Sequence, residues 1–534
     1  MKRLSKGFSG LARRTRSAGV VPLCPASWAG LSASRTARFF AGQAAASGAD
    51  ETPMASHHTP QQPEYLFRHL DLKWMKEHAD ELATSIRARK IEGADIHRTV
   101  ALHDRFVRLD FEIQQMRAQR NRVTDELKQL KKKMNNKSLK GGDGNDADVE
   151  RLVAQGKELR EQLHAAEKEV KEVEAELYRE AKRIPNVCHP AVPHGSEDQA
   201  RVVCHGGPAK KQHAADFGFE PVDHVTLCQR LDLANFEAGS RVAGNNFVFF
   251  RNEAALMELA LVQWVMGKAA ARGFTPVLTP DVVRPVTAEG CGFQPRGTGT
   301  QTYSIEGSDL CLVATSELAL AGYYQMCALP PESLPVRMVA FSHCFRAEAG
   351  GTGLRDRGLY RLHQFSKVEL FALTAPEQSD DVLESIVQLQ QEIFTELGLH
   401  YRVLDMPTEE LGAPAYRKYD IEAWMPGRGS YGEVSSASNC TDYQSRRLNI
   451  CYPKDDPSGR RRDFVHTVNG TGCAVPRTIL AILENHQTAD GTVKVPRPLV
   501  PFMHGIDTIR PKTNPAPAPQ LQHNVGHFYF HPMQ

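Results

Sequence analysis

Several kinds of segment are missing from this chain of 534 residues. None of its eleven cysteines forms a CxxC pair, which removes the commonest thiolate zinc and dithiol redox patterns. Cys188-His189 and Cys204-His205 offer ligand types, but their spacing fits no zinc pattern, and scattered reduced thiols are the reading kept. No uninterrupted apolar run approaches the ~18 residues that span a membrane, so membrane insertion is not expected. There is no GxxxxGK[ST] loop and no GxGxxG opening a helix after a strand. The glycines at 350–353 lack the lysine and helix that would make a phosphate loop. A bound nucleotide would therefore be held by side chains. Charge of one sign is missing overall, at net +2, yet not locally. Before Asp50 there is no acidic residue, while Lys2, Arg3, Lys6, Arg13, Arg14, Arg16, Arg35 and Arg38 supply eight positive charges among serines and alanines.

That leader, residues 1–48, has the composition of a mitochondrial transit peptide, with processing expected near Arg38-Phe39-Phe40-Ala41 and the matrix as destination. A basic tail touching RNA is the alternative. At the other end, 501–534 is expected to be a flexible tail, rich in proline and histidine from Pro511 onward.

Between the ends, an arm is expected over residues 60–185. Leu109, Ile113, Met116, Val123, Leu127, Leu130 and Met134 follow a 4-3 spacing. After a polar break at 138–146, Val149, Leu152, Leu159, Leu163, Ala166, Val170, Val173 and Leu177 resume it. The pattern predicts an antiparallel coiled-coil hairpin from about Asp104, each helix roughly 45 Å long at about 1.5 Å per residue. Residues 103–140 carry eleven Lys/Arg against five Asp/Glu, and 148–183 carry eight against ten. The excess gathers near the tip at Lys128, Lys131, Lys132, Lys133, Lys137 and Lys140. Such an arm suits a phosphate backbone, although charged coiled coils more often meet proteins.

The segment 186–500 reads as globular. In CFRAEAGGTGLRDRGLYRLHQF, period two puts Cys344, Arg346 and Glu348 on one strand face, then Arg361, His363, Phe365, Lys367 and Glu369 on one face after a glycine bend. This predicts a hairpin with an apolar side and a charged side; surface ion pairs on a solvated sheet are the bland reading. Arg346 and Arg477 have the fork geometry that clamps phosphates. Phe365 can stack a base with Arg477 on its far side, and Glu348 and Glu433 can hold magnesium or a ring amine. Thr315-Ser316-Glu317, after an apolar run, also reads as an ordinary helix cap.

Taken in order, these stretches resemble the seryl-tRNA synthetases, with the mitochondrial type as the nearest likeness. Arg357 to Arg361 with His363-Gln364-Phe365 and Lys367-Val368-Glu369 resembles motif 2 of that family. Thr315-Ser316-Glu317 resembles its serine-binding TxE element, Gly432 to Arg447 its ATP segment, and Asn469 to Arg477 its motif 3. The resemblance implies an α+β class II synthetase catalytic domain, an antiparallel sheet flanked by helices, with the coiled-coil arm before it. It implies serine activation by ATP with Mg2+, then transfer to the 3′ end of mitochondrial tRNA(Ser). Thr315, Ser316, Glu317, Glu369, Asn469 and Thr471 would bind serine, Glu369 taking the ammonium. Arg346, Ala347, Glu348, Leu362, Phe365, Glu433, Val434, Ser435, Ser436 and Arg477 would bind ATP. Arg346 and Arg477 would be the catalytic pair, and Glu433 would reach the metal. Lys128, Lys131, Lys132, Lys133 and Lys137 would hold tRNA. A homodimer through the segment around Pro280 is likewise implied, and the loop 349–356 would meet ATP or the acceptor end. Pro476 departs from the glycine common in the family, and Thr471 from serine. A catalytically silent scaffold and a ligase loading a carrier protein are the competing classes. Retention of Arg346, Glu348, Glu369, Glu433 and Arg477 speaks against the first, the basic arm against the second.

Overall fold

Two short helices, α1 (Leu72–Glu77) and α2 (Ala79–Ala88), lead into two long ones, α3 (Ile96–Asn136) and α4 (Gly144–Ala181). The computed structural model describes residues 69–136, 144–212, 214–294, 301–348, 357–454 and 461–512. The leader over 1–48, Lys137 and Lys140, the loop 349–356 and the tail from 513 onward lie outside the described residues.

The heptad seam is real. Ile113, Val123, Leu152, Leu159, Leu163, Val173 and Leu177 are buried along it. At 41 residues, α3 is about 60 Å long at about 1.5 Å per residue, longer than the expected 45 Å. It starts earlier because the Asp95 carboxylate accepts the Arg98 N–H at 3.0 Å, capping the first turn. Leu102 then extends the seam against Val173 and Leu177. Arg98–Glu176, Arg105–Glu169 and Arg117–Glu167 bridge the two helices at 2.6–2.8 Å. Exposed pairs of this kind add little stability but fix which residues face each other. The root of the arm is firmer. Arg89, 3% exposed, donates to the carbonyls of Val187, Gly412 and Ala415 at 2.8–2.9 Å. A buried guanidinium is tolerable only when satisfied in this way.

The globular part is built on eight strands: β1 (Arg201–Gly206), β2 (Thr275–Leu278), β3 (Val336–Phe345), β4 (Gln364–Thr374), β5 (Tyr401–Asp405), β6 (Arg417–Met425), β7 (Ser430–Asn439) and β8 (His466–Ala474). Their order in the sheet is β1-β5-β6-β7-β8-β4-β3-β2. All pairs are antiparallel except β2 with β3. The predicted hairpin is β3–β4, running from Val336 opposite Leu373 to Phe345 opposite Gln364. Its ladder is shorter than the period-two reading implied. Arg346, Glu348, Arg361 and His363 lie beyond it, with the Arg346 N–H bonded to the His363 carbonyl at 2.9 Å.

Both faces of the sheet are buried. Helices α5 (Asn252–Ala271), α7 (Ser379–Glu396) and α9 (Val475–Asn485) share one core with Val368, Leu370 and Ala372 of β4. On the opposite face of β4, Phe371 and Leu373 pack with Leu318, Leu320 and Ala321 of α6 (Ser316–Tyr323). Phe365, Lys367 and Glu369 share that second face by alternation and line a cavity that Glu317 of α6 also enters. By length and composition α5 alone, among the described helices, is apolar enough to cross a membrane. Its Ala254, Met257, Leu261 and Val265 face the core instead, and Glu258 bonds Ser366. Residues 501–512 are not the flexible tail expected from sequence. Thr508–Ile509 pairs with Val493–Lys494, Ile509 is fully buried, and Lys512 pairs with Glu253. The buried Met503 and Ile509, the strand pairing and the Lys512 ion pair hold this segment.

Candidate active site

The cleft is assembled from the ends of β3, β4, β7 and β8, with α6, α9 and α8 (Tyr443–Leu448) around it. An inner cavity of about 140 Å³ is lined by Thr315, Glu317, Lys367, Glu369, Asn469 and Thr471 together with Arg346, Glu348, Phe365, Glu433 and Arg477. An outer cavity of about 690 Å³ shares Glu317, Arg346, Glu348, Glu433, Ser436 and Asn469 with it, and is walled by residues 412–415 and Lys418.

Thr315 shows how a cap becomes a site. It caps α6 in an extended conformation, its hydroxyl accepting the Glu317 N–H at 3.3 Å. That geometry fixes Glu317 in the first turn, where it lines the cavity, so the cap also sets the place of this carboxylate. Glu317 accepts from Gln444 at 2.6 Å and Asn469 at 2.9 Å. Burial, then the nearby Glu369 charge, push it up to about 7 despite those donors and Lys367. Glu369, 1% exposed, is different: Lys367 Nζ lies 2.6 Å from its Oε2, and the Thr471 hydroxyl donates to the same oxygen at 3.3 Å. Ser316, expected beside them, is fully buried and lines neither cavity, because the helix turn that points Glu317 in points its neighbour away.

Elsewhere in the lining, the Arg346 guanidinium covers the Phe365 ring at 5.2 Å. Arg477, expected on the far side of a base stacked on Phe365, lies over Tyr360 at 4.5 Å. It donates to the Tyr360 carbonyl at 3.0 Å and the Glu433 carbonyl at 3.1 Å, and pairs with the Glu433 carboxylate at 3.2 Å. Glu348 pairs with Arg361 at 2.7 Å. Burial raises Glu433, but Arg477, Lys418 and Arg346 together outweigh it and hold it below the ordinary carboxylate range. Leu362, Val434, Ser435 and Ser436 line the inner cavity; Ala347 lines only the outer one. Ser435 is tied by its hydroxyl to the Thr471 carbonyl. Along the arm, Lys128 pairs loosely with Asp125 at 3.2 Å, while Lys131, Lys132 and Lys133 are exposed.

Among the described residues no cluster of three or more His, Cys, Asp or Glu could hold a metal alone. Glu433 beside Ser436 fits instead a cation bound mainly by substrate phosphates, the usual habit of magnesium. Lys367, Arg361, Tyr360 and Gln444 are cleft residues to which the sequence reading gave no site role. Lys367 and Arg361 stood on the charged strand face already singled out. Tyr360 and Gln444 lay within the stretches Arg357 to Arg361 and Gly432 to Arg447, but each arrives from a turn or helix whose placement is tertiary.

Residues 302–486 match the family described as tRNA synthetase class II core domain (G, H, P, S and T), and residues 70–188 match the seryl-tRNA synthetase N-terminal domain. The antiparallel sheet, its cleft and this core match define a class II synthetase catalytic domain. The chain is 45% identical over 442 residues to the serine–tRNA ligase of Rubrobacter xylanophilus, covering 83% of this chain and 99% of that one. With the mitochondrial serine–tRNA ligase of Bos taurus it shares 41% over 452 residues, covering 83% and 85%. The crystal structure of the Pyrococcus horikoshii seryl-tRNA synthetase complexed with ATP superimposes with a TM-score of 0.72 at 34% identity, covering 83% and 100%. The chain belongs to the seryl-tRNA synthetases, the ATP-dependent serine–tRNA ligases of class II.

The raised Glu317 sets a pH signature. A carboxyl that ionises near 4.5 in the unfolded chain and near 7 in the folded one binds more protons folded than unfolded between those values. Its contribution to stability is therefore lost as pH rises through that window. Glu317→Gln should gain on the wild type by roughly 3 kcal/mol from pH 4.5 to pH 7.5, measured as the difference in urea unfolding free energy at each pH. A difference independent of pH would mean that Glu317 ionises normally.

Proposed function

We propose that this enzyme charges mitochondrial tRNA(Ser) in the mitochondrial matrix, with the inner cavity as serine site, the Arg346–Arg477 side as ATP site and the coiled-coil arm as tRNA grip. The observation that carries the site assignment is the charge balance of the inner cavity. Glu369 is matched by Lys367 in direct contact, whereas the hydrogen bonds that Glu317 accepts come from the neutral amides of Gln444 and Asn469. An incoming ammonium belongs on Glu317, and the ammonium role expected for Glu369 is withdrawn. Serine's hydroxyl then faces Glu369 and Thr471, groups that an analogue without it would leave unpaired.

Arg346 receives the serine carboxylate and the α-phosphate, and Arg477 the γ-phosphate. Leu362 offers backbone beside the adenine and Phe365 its ring. Ala347, Glu348, Val434, Ser435 and Ser436 complete the nucleotide wall. Glu433 and Ser436 would hold a Mg2+, which neutralises phosphate charge. One serine carboxylate oxygen attacks the α-phosphorus, the bond to the bridging β-phosphate oxygen breaks, and pyrophosphate leaves. A ribose hydroxyl at the tRNA 3′ end then attacks the acyl carbon and AMP departs. No protein nucleophile is needed; positioning and charge neutralisation lower the barrier.

The decisive measurement is serine-dependent ATP–pyrophosphate exchange. Arg346→Ala should lower it on the order of a thousandfold. Exchanging Lys131, Lys132 and Lys133 for serine should weaken tRNA binding and flatten its salt dependence while leaving exchange unchanged. No exchange from folded wild type would refute the assignment, and a joint loss in the arm variant would refute the division of labour.

Two further readings belong here. Leu278 on the edge strand β2 is 83% exposed and Leu259 on α5 is 68% exposed, which supports a homodimer across this edge. Sedimentation at twice the chain mass is expected, and a concentration-independent monomer would exclude it. The basic, acid-free leader and the mitochondrial relatives support import. A fluorescent fusion of residues 1–60 should enter mitochondria; a cytosolic signal would leave compartment and tRNA pool unassigned.

A further inference from the structure

Lys367 has no part in the reaction as written, yet it is almost fully buried and lines the inner cavity. It stands two residues before Glu369 on β4, so both side chains share the site face. Its Nζ lies 2.6 Å from Glu369 Oε2, the oxygen that also accepts the Thr471 hydroxyl. A buried ion pair is poor evidence for stability, since desolvation offsets most of the attraction. Its position beside the substrate side chain offers another use.

We infer that Lys367 sets side-chain specificity: its ion pair reserves Glu369 for a neutral hydroxyl and excludes an amino acid that carries a second ammonium on the β carbon. This rests on reading the inner cavity as the serine site. The charge count supports it. Four carboxylates line the cavity: Glu348 and Glu433 pair with Arg361 and Arg477, Glu369 pairs with Lys367, and Glu317 is held by neutral amides. A substrate with one ammonium completes the balance on Glu317. L-2,3-diaminopropionate, serine with its hydroxyl replaced by an amine, brings a second cation against Lys367, and like charges so placed are strongly disfavoured. A hydroxyl meets no such penalty. Lys367 is therefore a positioning residue, acting through Glu369.

The test compares serine and L-2,3-diaminopropionate in ATP–pyrophosphate exchange at about pH 6, where both amines of the free diamine are largely protonated. Both substrates place the same α-ammonium on Glu317, so the ratio of their kcat/KM values cancels that shared demand. In Lys367→Met the ratio should fall at least about tenfold in favour of the diamine. Lys367→Arg, which keeps the charge, should hold the wild-type ratio. Lys367→Gln still donates a hydrogen bond to Glu369 and guards against misfolding of the Met variant; it should move the ratio the same way. An unchanged ratio in a folded neutral variant overturns the inference, as does failure of both neutral variants to fold while Arg folds, which would make the pair structural. Wild type inactive with serine would instead sink the serine-site reading.

Discussion

One strand register holds the cleft together: Glu369 of β4 opposite Thr471 of β8. It brings an acid and a hydroxyl to the same point, with the Glu369 partner Lys367 on the same face. The ladder then slips between Thr471 and Cys473, an irregularity of the kind that re-aims side chains beside active sites. From below, Gln390 of α7 donates to the carbonyls of Ser436 and Thr471 at 2.8 and 3.0 Å, fastening β7 to β8. The approach of α7 depends on Gly470. A Cβ there would lie 2.5 Å from Ile386, a distance no packed side chain tolerates, so the helix would have to move off the sheet and take Gln390 with it.

Electrostatics then differentiates residues that composition treats alike. Glu317, Glu348, Glu369 and Glu433 are four glutamates of one cleft with four different partners: amides, Arg361, Lys367 and Arg477. Buried with neutral donors, Glu317 is raised; ringed by cations, Glu433 is lowered. Environment, more than residue type, sorts acids into roles.

Much of this was readable from sequence because it is local. The heptads of the arm, the hairpin and the capping Thr315 follow from spacing within a few dozen positions, and the motif residues from the resemblance of short stretches to the synthetase family. Spacing also misled where tertiary packing decides. Ser316 was included because it sits between two site residues, yet one helical step turns it away. Residues 501–512 were counted with the proline-rich tail that begins at Pro511, yet a short strand and Ile509 bind them to the core. Gln444 was overlooked because nothing near it in sequence announces Glu317, 127 positions away. Strand alternation puts Lys367 on the face of Glu369, but only the 2.6 Å contact shows that the Glu369 charge is already matched.

The arm and the cleft meet at a definite place. The carbonyls that Arg89 satisfies include those of Gly412 and Ala415, and residues 412–415 wall the outer cavity. Asn186, just after the arm, reaches the same region, donating to Pro414 at 3.0 Å and to Cys440 at 2.9 Å. Both cavity residues are thereby tied to the base of a helical pair that extends about 60 Å outward. Removing the Arg89 side chain would take the donor from three carbonyls, of which the buried one of Ala415 would go unpaired at a cost of about 1–3 kcal/mol. The cost would fall on the joint between the basic arm and the cavity wall. A substrate engaging both ends at once must be long enough to span from arm to cleft, so the rigidity of that joint sets the distance against which it is measured.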